Sequence, residues 1–338
     1  MNRHAYLLPV LLCLLLFTGL ISLATGPMAL NLFNLLTPSQ LDPTESLVLL
    51  HIRLPRTLLC LGVGAILALC GAVMQGLFRN PLADPGIIGV SSGAALGAAL
   101  SMVLLSPFAA QLPAWLGASL TSLMAFAGGL VTTLVVYQLA RTTQGTSVSI
   151  LLLAGVAIAA LSGGILGLLN YLADDATLRD LTLWQMGSMA QSDGYQLVMV
   201  CITALVLALL LRRHAQDLNA LALGEAEAGH LGIDVQSLKR RLVLLAALAV
   251  GISVAAVGII GFVGLVVPHL VRLISGPDHR RLLPLSALLG AWLLLLADML
   301  ARTLAAPAEM PVGIVTALLG SPFFLWLLLK QKRGIGLS

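Results

Sequence analysis

Charged side chains are scarce in this chain. Lys, Arg, Asp and Glu make up 9% of its 338 residues, where a soluble globular domain carries about 25%. That shortage excludes a soluble enzyme and a disordered chain. Aromatics reach only 5% and no basic cluster is interleaved with them, which excludes a nucleic-acid binder. The net charge of +4 needs no anionic partner, because a multi-span membrane protein gathers Lys and Arg on its cytoplasmic side. The four cysteines, Cys13, Cys60, Cys70 and Cys201, lie in apolar runs without C-x-x-C spacing and read as buried free thiols. Six histidines form no H-E-x-x-H motif and pair with no cysteine, so no metal site is expected. The lysines follow Leu238, Leu329 and Gln331. None sits in a Gly-Lys-Ser/Thr loop able to cradle phosphates, so a nucleotide-driven process would need its motor on another chain.

What the sequence has in abundance is apolar surface. A hydrophobic fraction of 59% amounts to about 200 residues, enough for about ten bilayer-spanning helices at roughly 20 residues each. Mean hydropathy is +1.02. Ten runs answer that estimate, at 7–25, 57–78, 87–106, 115–138, 148–170, 195–211, 241–260, 262–274, 282–301 and 312–329. Their length excludes a β-barrel, whose strands alternate over short segments. The expectation is an all-α integral membrane protein forming one domain over residues 1–338. The first run ends on Ser22-Leu-Ala-Thr-Gly, similar to a signal-cleavage site, but it exceeds the roughly 7–15 residues of a signal core and reads as a first span. Run 262–274 is short and carries Pro268, which requires protein shielding for its backbone.

Placing the N-terminus in the cytoplasm leaves only Arg53, Arg56, Arg179 and Arg302 outside, of 18 Lys and Arg. That asymmetry predicts both termini inside. Small residues recur at helix-packing intervals, Gly89-x-x-x-Gly93-x-x-x-Gly97 and Gly163-x-x-x-Gly167, and ordinary packing within the bundle accounts for both. Asp298 is the one clear carboxylate inside a run, with Arg302 four residues on. The two share a helix face and can neutralise each other. No paired carboxylates mark a proton or cation relay, which counts against an ion-coupled secondary transporter. No reactive constellation supports a membrane-embedded enzyme.

Two polar stretches interrupt the apolar background. Arg79-Asn-Pro-Leu-Ala-Asp-Pro-Gly86 reads as a rigid turn, with Asn80 and Asp84 bonding free backbone groups. The segment 214–239 holds glycines at 224, 229 and 232. These bracket two short helices lying outside the membrane, suited to a partner's groove, or else a solvated loop.

Several of these motifs resemble, in order from about residue 50 to 330, the FecCD-type permeases. They are Arg53-Leu-Pro-Arg56, Gly71-Ala-Val-Met-Gln75, Asn80-Pro-Leu-Ala-Asp-Pro-Gly86, Gly89-Val-Ser-Ser-Gly-Ala94, Leu151-Leu-Leu-Ala-Gly155, Trp184-Gln-Met-Gly-Ser188, the stretch Gly261 to Arg272 and the stretch Pro311 to Gly320. Such permeases are the membrane subunits of ABC importers for haem, ferric siderophores and cobalamin, and the 76–95 stretch is most similar to the haem branch. The resemblance implies the type II ABC importer permease fold. It implies a homodimer in a bacterial inner membrane, two ABC ATPase subunits carrying ATP and Mg, and a periplasmic substrate-binding protein. No cofactor would be held by this chain, and no residue would be catalytic. ATPase coupling would fall to Leu223, Gly224, Glu225, Ala226, Gly229, His230, Leu231 and Gly232. Binding-protein docking would fall to Arg53, Arg56 and Arg302, with interfacial anchoring of a helix start as the plainer role for the first two. The inner gate would involve Asn80, Leu82, Ser147 and Ser149, with Val148 replacing a polar residue found in some relatives.

Overall fold

The computed structural model describes residues 6–26, 28, 42–109, 111–143, 145–190, 193–306 and 308–334. Arg3 and the side chains of Lys330, Lys332 and Arg333, all counted toward the inside, lie outside the described residues. The long helices are α1 (Leu7–Ala24), α2 (Pro43–Leu77), α3 (Val90–Ala109), α4 (Ala114–Leu139) and α5 (Val148–Leu172). A short α6 (Asp175–Gln185) precedes α7 (Gly194–Arg213), and α8 (Ala215–Leu223) and α9 (Glu225–His230) follow it. Next come α10 (Val235–Val257), α11 (Val263–Ser275), α12 (His279–Leu304) and α13 (Val312–Gly334). Eight of these are long and apolar enough to cross a membrane; α11 is a shorter apolar helix, and the apolar part of α13 is Val312–Trp326. Together they account for the ten runs.

Helix α2 is the centre of the bundle: 83% of its apolar span is buried, against 22% or less for α1, α4, α5 and α7. It begins well before the hydropathic run at 57–78. Residues 43–56 include Glu45, His51, Arg53 and Arg56, which hide the helix from a hydropathy scan. Two π-helical segments widen the helices, Val48–Arg53 in α2 and Ser101–Leu105 in α3. Each lies just before a proline, Pro55 or Pro107. A proline lacks the N–H for the carbonyl four residues back and its ring collides with it, so the helix loosens by one residue there.

Close backbone approach holds the bundle where lipid supplies no hydrophobic drive. A Cβ on Gly71 would run into the Gly264 carbonyl of α11. Pro268 explains why that carbonyl is available, since it cannot donate back to residue 264. Gly93 and Gly97 of α3 meet the Gly128 and Met124 carbonyls of α4 in the same way, as the packing reading expected. The second glycine pair departs from it: among the described residues, nothing lies within 4 Å of a Cβ at Gly163 or Gly167. That face of α5 is left open by the single chain.

Helix α11 has 13 residues, about 20 Å at 1.5 Å per residue. The chain entering it, Gly258 to Phe262, is unwound, with φ 77° at Gly258 and 68° at Phe262. The expected shielding is there. Gly187 and Gly313 bring backbone against Ile259, and the Ser188 N–H donates to the Val257 carbonyl at 2.8 Å. Thus the Trp184–Ser188 and Pro311–Gly320 motifs wrap a stretch of irregular backbone that lipid could not satisfy. Among the cysteines, Cys60 and Cys70 are buried as expected, whereas Cys13 and Cys201 lie on outward helix faces.

Candidate functional site

At one end of the bundle, α8 and α9 form the two short helices read from the glycine spacing. Gly224, with φ 142°, separates them, and Gly232, with φ 85°, ends the second turn of chain. Gly229 lies within α9 rather than at its edge. Leu223 is 70% exposed and Leu231 is 65% exposed, while Ala226, Gly229, His230 and Gly232 are exposed between them. Two leucines offered to solvent on a non-spanning segment make an apolar docking surface of the helix-in-groove kind.

The base of this segment is fastened at two points. Asn219 of α8 donates Nδ2 to Asp278 Oδ1 at 2.6 Å, and its Oδ1 accepts from the His279 N–H and ring Nδ1 at 2.8 Å each. The Asn219 amide, helped by the Arg280 N–H, holds the Asp278 carboxyl below the usual carboxylate range. In α9, Glu225 Oε1 accepts from Lys239 Nζ of α10 at 2.7 Å.

Beside Glu225 lies a cavity of about 460 Å³ lined by Arg79, Thr142, Thr146, Ser147, Val148, Ser149 and Gln236, among others. The structure therefore brings the coupling candidate Glu225 and the gate candidates Ser147 and Ser149 to one cavity. Ser147 caps α5, its Oγ accepting from the Ile150 N–H at 3.4 Å. A two-stranded hairpin, β1 (Arg141–Thr142) and β2 (Gly145–Thr146), delivers the chain to that cap. Asn80 shapes the neighbouring turn, with Oδ1 accepting from the Leu82 N–H at 2.9 Å, as the proline-rich pattern predicted. Arg79, whose φ is 49°, lines the cavity, whereas the gate candidates Asn80 and Leu82 do not.

At the other end, the docking arginines depart from expectation. They were read as exposed partners for carboxylates, but Arg53, Arg56 and Arg302 are 4%, 6% and 3% exposed. Arg53 donates Nη1 to the Leu23 and Ala24 carbonyls at 2.8 Å each, and Nη2 to Met28 O. Arg302 donates to Thr25 O at 3.0 Å and to Ser22 Oγ at 2.6 Å. Both satisfy the carbonyls left free where α1 ends. Arg56 donates Nε to the Asp298 carboxylate at 3.0 and 3.2 Å and Nη1 to Glu309 at 2.8 and 3.0 Å. Asp298 also pairs with Arg302 Nε at 3.3 Å, the i, i+4 contact read from spacing.

Sequence reasoning missed three functional neighbours. Arg56 lies 242 residues from Asp298, and Lys239 lies 93 from Thr146, so no local pattern announces either pair. Glu309 sits just ahead of the Pro311 motif, 253 residues from Arg56. Among the described residues no group of three His, Cys, Asp or Glu side chains is placed to hold a metal ion.

Comparison with known proteins follows the geometry. Residues 14–330 match the FecCD transport family. The chain is 48% identical over 327 residues to the hemin transport system permease protein HmuU of Yersinia pestis, spanning 97% of this chain and 96% of that one. It is 46% identical over 283 residues to the vitamin B12 import system permease protein BtuC of Citrobacter koseri, spanning 84% and 83%. A solved inward-facing conformation of a metal-chelate type ABC transporter superposes with TM-score 0.83 at 36% identity over 96% of this chain and 98% of that one. PsaBC from Streptococcus pneumoniae in complex with Fab shares the fold, with TM-score 0.57 at 19% identity over 83% and 92%.

Proposed function

The chain belongs to the FecCD transport family, a multi-pass permease of the ABC importer type, and from that premise we propose that it carries haem from periplasm to cytoplasm. The 48% identity across nearly the whole length of a hemin permease carries this reading. Cobalamin is the second reading, supported by 46% identity to a vitamin B12 permease over a smaller share of the chain. Ferric siderophores complete the family's range.

In this proposal two copies of the chain enclose a central path in the inner membrane, with both termini cytoplasmic. The open Gly163–Gly167 face of α5 supports pairing, because small residues there let a second backbone approach and nothing of the same chain covers them. Two ATPase subunits, which hold ATP and Mg, receive Leu223 to Gly232 in their grooves. ATP binding draws those subunits together, shifts α8 and α9, and alternates the path between its two openings. A ligand moves such an equilibrium only by its differential affinity for the two states, and ATP on the partner supplies that difference. Ser147, Ser149, Asn80 and Leu82 form the inner gate, and no cofactor is held by this chain.

A periplasmic binding protein docks at the opposite end. There three arginines face two carboxylates, Asp298 and Glu309, leaving one positive charge in excess. That excess favours an acidic partner and speeds its encounter. Charge reversal at Arg53 weakens docking at low salt; unchanged affinity there refutes this part of the proposal.

The test is reconstitution of the dimer with its ATPase in proteoliposomes. ATP hydrolysis and uptake are then measured with haem-loaded, cobalamin-loaded and siderophore-loaded binding proteins. Stimulation by the haem-loaded protein alone is the expected result. Stimulation by cobalamin alone moves the chain to the second reading, and uptake without any ATPase removes the importer mechanism.

A further inference from the structure

Lys239 is buried to 2% exposure near the start of α10, outside the glycine-bracketed stretch 224–232 but bonded to it. Its Nζ donates to Glu225 Oε1 at 2.7 Å and to the Thr146 carbonyl at 3.1 Å. One turn earlier, Gln236 Oε1 accepts from the Thr146 N–H at 2.8 Å. Both backbone groups of Thr146 are thus held by side chains from the first two turns of α10. Thr146 is the residue before Ser147, the cap on which α5 begins.

From this geometry we infer that Lys239 is the positioning residue that transmits displacement of α9 to the inner gate. The inference rests on the importer reading. A push on Glu225 reaches the Thr146 carbonyl through a single ammonium group, and the next residue along the chain is the gate candidate Ser147. The hairpin reinforces the path, because Gly145 sits at φ 116° with the Gln236 amide against it, so β2 follows α10 rather than moving on its own.

Stability alone is a poor reason for this arrangement. Burying an ammonium is costly, and a buried ion pair often contributes no more than apolar side chains of similar size. Glu225 is 39% exposed at its side chain, so it rehydrates readily when its partner is removed. Two of Lys239's three donors join elements that have no other charged link to each other among the described residues. Connection of α9 to the gate is what the burial achieves.

The experiment uses the complete complex in proteoliposomes with the loaded binding protein. Lys239→Met removes both bonds while keeping an unbranched stem. ATP hydrolysis continues and cargo moved per ATP falls at least tenfold, while the melting temperature of the complex moves little. Lys239→Arg, which restores a donor to each acceptor, recovers most of that ratio; a merely structural lysine would change stability and leave the ratio alone. Glu225→Ala cuts only the α9 half of the link at an accessible position. It lowers the ratio in the same direction, and it serves as the test if Lys239→Met fails to assemble. Unchanged cargo per ATP in either variant, beside an active wild type, overturns the inference alone. A wild-type complex that hydrolyses ATP and moves no cargo overturns the importer reading, and this inference with it.

Discussion

Asp298→Asn probes the outer end, where a fully buried carboxylate serves two buried guanidiniums. Arg56 approaches it with Nε at 3.0 Å and Nη2 at 2.9 Å, and Arg302 with Nε at 3.3 Å. The amide keeps the shape and one acceptor oxygen but removes the charge. Arg56 then has only the half-exposed Glu309, and Arg302 has carbonyls and a hydroxyl but no anion. Breaking a buried pair from one side costs about 3–5 kcal/mol; the retained acceptor and Glu309 place this case near the lower end, about 3 kcal/mol. That is about a hundredfold in the folding equilibrium at 1.4 kcal/mol per decade. The control is the triple replacement Arg56→Met, Asp298→Leu, Arg302→Met, which leaves no fully buried charge unpaired, since the Glu309 it frees is 38% exposed at its side chain and rehydrates. Its main losses are Arg302's bonds to Ser22 and Thr25, at about 1 kcal/mol each. The assay is melting of the purified protein in mild detergent at one fixed scan rate, because membrane proteins often unfold irreversibly. The single variant melts lower than the triple. Equal melting of wild type and Asp298→Asn, or a triple variant worse than the single, refutes the argument from unpaired charge.

Gly71→Ala drives a methyl into the Gly264 carbonyl and sharply lowers the yield of folded protein, whereas Gly163→Ala meets nothing in its own chain and leaves the detergent melt within about 0.5 kcal/mol. Dimer fraction, read by size-exclusion with light scattering, is where Gly163→Ala shows its effect. Replacing Leu223 and Leu231 by Ser leaves the melt unchanged, since both are exposed, and weakens ATPase co-purification severalfold; full retention of the ATPase refutes the docking surface. Asn219→Ala takes away the main group holding the Asp278 carboxyl below its usual range. A depressed carboxyl stabilises the fold above about pH 4 and loses that contribution as pH falls further, so the gap between wild-type and Asn219→Ala melts narrows toward pH 3. A gap independent of pH contradicts that assignment.

Hydropathy made the spans legible because a lipid-facing helix must be apolar whatever it packs against. The run 148–170 and helix α5 differ by two residues at one end. The two short helices α8 and α9 were legible for a different reason: Gly224 and Gly232 adopt positive φ that other residues avoid. Burial of polar groups was not legible. Arg53 and Arg56 read as surface charges because their partners lie in α1, α12 and the 305–311 connection, far along the chain. The opening fourteen residues of α2 were lost for the same reason, since a helix whose polar groups are satisfied by protein need not look apolar. The glycine repeats misled in the opposite way: two identical spacings, one filled by α4 and one empty, differ only in what the fold brings to them.

The two fastened ends of the coupling segment set where movement must occur. Through Asn219, α8 belongs to the body containing α12, and α12 is locked at its far end to α1 and α2 by Arg302, Asp298 and Arg56. Through Lys239, α9 belongs to α10 and the gate hairpin. Gly224 is the single residue between α8 and α9, at φ 142° and ψ 156°, a region essentially reserved for glycine. Any relative motion of the two bodies driven from the docking surface is therefore absorbed at Gly224. Gly224→Ala strains that backbone by about 1–3 kcal/mol; the Glu227 carboxylate can swing aside from the new methyl, and the backbone strain is relieved by turning α9 away from its place over Lys239. Cargo moved per ATP falls in this variant as it does in Lys239→Met, and combining the two costs no more than either alone, because both interrupt one path. Additive losses in the double variant refute a shared path, and normal uptake by Gly224→Ala shows that the movement passes elsewhere.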